Sequence, residues 1–133
     1  MSGERDLSRL IATMRPELGP GRFVFATIPH GQAVPAGLAP VMLFREAEGM
    51  TLIVTPDEAA RAGLAAIFPC RRITLTVHSA LDAVGFLAAV TSRLAAAGIS
   101  TNAVAAYHHD HLFVPEDRAA EAVALLEAMA AGR

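Results

Sequence analysis

The sequence predicts an α+β sandwich in which helices cover one face of a mostly antiparallel sheet, and three observations carry that prediction. Short β-branched and aromatic runs alternate with amphipathic helical stripes along the whole chain. Neighbouring runs are joined by turns too short for a crossover, as between Arg45 and Met50. At 133 residues the chain buries about two thirds of its extended surface, so it folds without covalent staples.

The elements follow in order. Leu7, Leu10, Ile11 and Met14 have the i, i+3, i+4, i+7 spacing of an amphipathic helix near residues 5–15, which Pro16 ends. Leu18 to Gly21 reads as a turn, and Arg22 to Ile28 as a strand bounded by Pro29. The segment from Pro29 to Pro40 has too much Pro and Gly for regular structure. Val41 to Arg45 and Met50 to Thr55 form a hairpin around Glu46-Ala47-Glu48-Gly49. Thr55-Pro56-Asp57-Glu58 is a capping box with proline in the first turn, opening a short helix that Gly63 closes. Leu64 to Arg71 is the one plausible boundary. Ile73, Leu75 and Val77 then alternate with Thr74, Thr76 and His78 as a half-buried strand. A long helix with Leu81, Val84, Leu87, Ala88, Thr91, Leu94 and Ala95 on one face runs to Gly98. Strands from Ile99 to Tyr107 and Leu112 to Val114 flank a His-His-Asp-His turn. The last helix starts at Pro115 and turns Ala119, Ala122, Val123, Leu126 and Met129 inward.

Composition narrows the function classes. The eleven basic residues are all arginines, scattered along a chain of net charge −2, which argues against a nucleic-acid partner. No apolar run approaches the roughly 18 to 20 residues that cross a bilayer, so no membrane partner is expected. With 53% hydrophobic residues and a mean hydropathy of +0.42, the surplus apolar surface is expected to close a homodimer interface. The lone Cys70 and the lack of a signal-peptide pattern predict a cytoplasmic protein.

Arg72 to Pro115 holds the candidate site. The predicted helix begins directly at the end of a strand, so its unpaired N–H groups and positive dipole end offer a seat for a carboxylate. Ser79-Ala80-Leu81-Asp82 fits the capping pattern, with the Ser79 hydroxyl accepting a first-turn N–H. Gly85 inside that helix costs about 1 kcal/mol relative to alanine, which implies close approach by a neighbouring strand or a ligand. The expected ligand contacts are His78, Ser79, Leu81, Val84, Gly85 and Phe86 from the corner. Asn102, whose amide both donates and accepts, joins them with His108 and Asp110 from the turn. A metal set of His78, His109 and His111 is the alternative, since adjacent residues on extended backbone point to opposite faces. Catalytic residues and cofactors are not expected: no paired carboxylates, nucleophile elbow, phosphate loop or dinucleotide fingerprint occurs. Cys70, between Pro69 and Arg71, reads as an inert thiol, and Glu46 and Glu48 as a solvated turn.

The stretch ITLTVHSALDAVGFLAAVTSRLAAAGISTNAVAAYHHDHLFVP resembles the ACT domain family, most specifically in HSALDAVGF and YHHDHLFVP. The segment FREAEGMTLIVTPDEAARAGL extends the resemblance, to small stand-alone tandem ACT proteins, over nearly the whole chain. It implies two ferredoxin-like subdomains of βαββαβ type, 1–68 and 69–133, dimerisation, and binding of an amino acid or similar effector without catalysis. The second half ends after its second helix, so a strand from the first half, with Arg22 to Ile28 as candidate, would complete its sheet. Where the family's turn carries Asp and a Pro-Gly pair, this chain has His78-Ser79-Ala80-Leu81. The rival functions are a small metal-dependent enzyme and a structural subunit of a larger assembly.

Overall fold

The computed structural model describes residues 3–133, and packing sorts them into two units that do not follow chain order. One joins residues 3–20 to 71–133; the other is Gly21–Cys70. The expected division into 1–68 and 69–133 runs along the chain, whereas this grouping follows the cores.

In the larger unit, helix α1 (Leu7–Thr13) is capped by the Asp6 side chain and leads into a short strand, β1 (Pro16–Leu18). The chain returns at Arg71 within strand β5 (Ala66–Leu75) and continues through helix α3 (Phe86–Ala96) and strand β6 (Asn102–Ala105). Strand β7 (Asp110–Pro115), a 3₁₀ turn (Glu116–Arg118) and helix α4 (Ala119–Ala130) complete it. The strand order is β1-β5-β7-β6. The strand that completes this sheet is thus Pro16–Leu18, pairing antiparallel with Ile73–Leu75, and not Arg22 to Ile28. Its Pro and Glu gave no strand pattern; it is held by packing, because α1 and β1 bring Leu10, Met14 and Leu18 to a core of Ile73, Leu75, Val90, Leu94, Leu112 and Leu126.

The smaller unit holds strands β2 (Phe23–Pro29), β3 (Met42–Arg45) and β4 (Gly49–Val54), helix α2 (Pro56–Arg61) and the first half of β5. Its order is β3-β4-β2-β5. The capping box at Thr55 and Glu58 forms as expected. Strand β5 starts earlier than its alternation indicates, inside the expected boundary segment. Partners Phe23↔Cys70 and Phe25↔Ile67 leave one extra residue on β5, a bulge at Phe68, which takes φ 59° and sets its ring edge-on to Phe25 at 5.9 Å. Cys70 is buried and donates its thiol to the Phe23 carbonyl at 3.4 Å, a packing role.

Both units follow one plan: strand, connection, two strands, helix and a closing edge strand. They differ in the connection. The larger unit uses α3; residues 30–41 of the smaller unit are a loop. Val34 and Leu38 of that loop pack on a core of Val24, Ala26, Ile28, Leu52 and Val54. No helix among the described residues is long and apolar enough to cross a membrane.

Candidate functional site: the corner before α3

The chain does not pass directly from β5 into a helix. Leu75 is followed by Val77 N–H donating to Leu75 O at 2.9 Å, Ser79 N–H to Val77 O at 3.0 Å and Ala83 N–H to Ala80 O at 3.0 Å, and α3 begins only at Phe86. The predicted start near Leu81 is therefore corrected. Leu81 and Val84 extend the helical spacing backwards through a turn, where they are 56% and 85% exposed and Val84 does not line the cavity described below. Gly85 is not inside the helix but at its N-cap, with φ 93°, a left-handed conformation that disfavours any side chain. Ser79 is not the cap. Its hydroxyl donates instead to Asp110 Oδ2 at 3.2 Å.

The N-terminal segment fixes this corner. Glu4 N–H donates to His78 O at 2.8 Å and Ala80 N–H to Glu4 O at 2.9 Å, while Arg5 pairs with Asp82 at 3.0 Å. The result is a cavity of about 130 Å³ lined by Ser79, Leu81, Gly85, Phe86 and Asp110, with Leu87 and Ala88 of the first turn and Ala105 of β6. No side chain caps α3. Ala89 N–H is the first to bond back, to Gly85 O at 2.9 Å, so the preceding first-turn N–H groups are free of helix bonds. Asp110 is 7% exposed, and desolvation pushes its carboxyl above the usual carboxylate range, against the opposing Ser79 hydrogen bond and the nearby His111 and His109. One cavity thus holds a buried acid and the positive end of a helix.

Several expected contacts lie elsewhere. Asn102 is exposed at the far end of β6, paired with Phe113, whereas the cavity meets β6 at Ala105, opposite Asp110. The His78 and His108 rings lie tilted at 50° with centroids 6.1 Å apart and Tyr107 meets His108 edge-on at 4.9 Å, all outside the cavity lining. His109 sits against His111 at 6.4 Å. The alternative metal set is thereby divided between two pairs, and no group of three or more His, Cys, Asp or Glu among the described residues is placed to hold a metal. His111 Nδ1 lies 2.9 Å from Thr74 Oγ1, and burial, reinforced by Arg72 and His109, lowers its pKa in spite of Asp110.

Sequence reasoning missed Leu87, Ala88 and Ala105. Glycine is a tolerated N-cap residue, so Gly85 immediately before Phe86 was the available signal for the true helix start.

A unit of strand, connection, two strands and helix closed by an edge strand, twice in one chain, with α3 as the connection in the larger unit and a loop in the smaller, defines a tandem ferredoxin-like protein. The chain belongs to the ACT domain family, whose models match residues 2–71 and again 68–128. A crystal structure of a Vibrio cholerae protein of unknown function, described as a possible transport protein, is 42% identical, with TM-score 0.85 over 97% of this chain and 99% of that one. An Agrobacterium tumefaciens protein is 21% identical with TM-score 0.75, covering 88% of this chain and 89% of its own. The regulatory subunit of aspartate kinase from Thermus thermophilus is 15% identical with TM-score 0.67, covering 90% and 98%. No curated protein matches the chain.

Proposed function

We propose that this protein is a non-catalytic regulatory module that binds a small α-amino acid in the corner cavity. The observation that carries the reading is the pairing, in one cavity, of the buried Asp110 carboxylate with the uncapped N-terminus of α3. The first suits an ammonium group and the second a carboxylate. The volume of about 130 Å³ favours a small side chain. Membership of the ACT domain family supports the regulatory part of the reading.

The module acts as a homodimer in the cytoplasm. Strand β6 is an open edge, with Asn102, Ala103 and Ala105 exposed, which suits pairing with a second copy. Ligand binding and assembly are then linked, so whichever state binds the amino acid more tightly is favoured by it.

The test is a thermal-shift and calorimetric scan against glycine, L-alanine, L-serine and larger amino acids, with divalent metals in parallel. Stabilisation by small amino acids that is lost in D110N supports the reading. Stabilisation only by a metal, or binding unaffected by D110N, overturns it. Sedimentation with and without the active amino acid tests the assembly.

A further inference from the structure

We propose that the cavity between the 30–41 loop and the β3–β4 hairpin of the smaller unit binds a monocarboxylate with an apolar tail and no amino group, of the short fatty acid kind. Neither the residues nor the ligand are those of the corner, so this site stands or falls independently of it.

The cavity measures about 490 Å³. That lies within the roughly 300–1,000 Å³ of small-molecule sites. It exists because of the missing helix. Where α3 covers the sheet of the larger unit, the smaller unit has a loop fastened at its far end and arched at its near end. Val34 and Leu38 pack on the core, and Ala39 N–H donates to the buried Glu58 carboxylate at 2.7 Å. Residues 31–33 are exposed and form the cavity's rim.

Strand register decides which side chains the cavity receives. Ile28, Met50 and Arg45 lie opposite one another across β2, β4 and β3, and Ala26, Leu52 and Leu43 do the same two residues along. All six therefore share the sheet face that the loop covers. Thr51 and Phe44 belong to the other face. Glu46 accepts the Thr51 hydroxyl, so its carboxylate is drawn to that other face, away from Arg45. Among the lining side chains, Arg45 is then the one formal charge on the loop side. Its guanidinium makes no ion pair or hydrogen bond with another described residue and offers a planar pair of donors to a carboxylate. His30 and Gln32, also in the lining, can donate as well. Leu43, 41% exposed, supplies apolar surface for a tail together with Val34 and Met50. An ammonium would meet no carboxylate here and would stand beside Arg45, which disfavours amines and zwitterions.

The experiment is amide chemical-shift mapping on the full chain, titrated with hexanoate and with three controls that each change one feature. Hexanamide removes the charge, L-norleucine adds an ammonium to the same chain, and acetate removes the tail. The expected result is saturable shifts at Gly31, Ala33, Val34, Gly49 and Met50 with hexanoate. Binding is at least about tenfold weaker for each control, and for hexanoate to R45L. R45L alters an exposed strand end and should keep its melting temperature; should it not, hexanamide and L-norleucine still read the charge requirement on the unaltered protein. Comparable or tighter binding of hexanamide or L-norleucine overturns the proposal, as does the absence of shifts at these residues. Shifts confined to Ser79, Gly85 and Asp110 also overturn it, while leaving the corner reading intact.

Discussion

The two units solve the same topological problem with different material. Between its first two strands the larger unit places an α-helix, whose Phe86, Val90 and Leu94 are buried against the sheet, and what remains open is a small corner at the helix N-terminus. The smaller unit places residues 30–41 there, with two prolines and two glycines, and only Val34 and Leu38 reach the core. A helix seals a sheet face along its length; a loop seals it at points. The difference therefore sets cavity size and position, about 130 Å³ at one end against about 490 Å³ under a span.

The comparison breaks most directly through the cores. Leu94→Ala should cost about 2–5 kcal/mol, because a fully buried leucine leaves a cavity when truncated, while Val34→Ala should cost less than about 1 kcal/mol. Equal costs in denaturant titrations would mean that the loop is as well packed as the helix. Next in size is Asp110→Asn. It should abolish amino-acid stabilisation yet leave the free protein as stable or more so, since it removes a desolvated charge. Glu58→Ala should cost about 1–2 kcal/mol through loss of the capping box and should raise hydrogen exchange at Ala39, with no change at Gly85. Gly85→Ala should cost about 1 kcal/mol from forcing a side chain into left-handed backbone.

Acid titration sharpens the same contrast, because the units respond with different signs. Backbone hydrogen bonds from Ala39 and then Thr55 hold Glu58 below the usual carboxylate range. Its contribution is present above the unfolded value, near 4.3, and is lost as pH falls through the lower folded value. Asp110 is raised, so stability falls as pH rises from near 3.9 through its folded value, and an ammonium ligand that needs the ionised acid binds more weakly as pH drops through that value. His111 is lowered, so protonation favours the unfolded chain below about 6.5. A pH series of melting temperatures for D110N and E58Q should separate these windows. Identical profiles for both variants would sink the assignment.

Legibility in the sequence follows how local each cause is. The hairpin of β3 and β4 and the capping box of α2 are fixed by neighbours in sequence and were read correctly. The start of α3 was not, because Leu81 and Val84 keep helical spacing through a turn whose shape is set by Glu4, some seventy-odd residues away in sequence. Strand β1 has no pattern of its own and exists only because Ile73 to Leu75 offer an edge. At the site, Ser79, Leu81, Gly85, Phe86 and Asp110 do converge. Asn102 and the histidines do not, because strand register and turn geometry decide which end of β6 meets the corner.

The larger unit is also discontinuous in the chain, and this has a consequence for biosynthesis. Residues 3–20 emerge from the ribosome before all of Gly21–Cys70, yet their core partners run from Ile73 to Leu126. The smaller unit can therefore condense first, around contacts close in sequence, while Leu10 and Met14 wait unsatisfied until nearly the last helix has been made. An arm exposed for that interval is a hazard for aggregation and a handle for chaperones. The corner is completed late as well, since the Glu4 hydrogen bonds that shape it need His78 and Ala80, which follow the whole of the smaller unit in the chain.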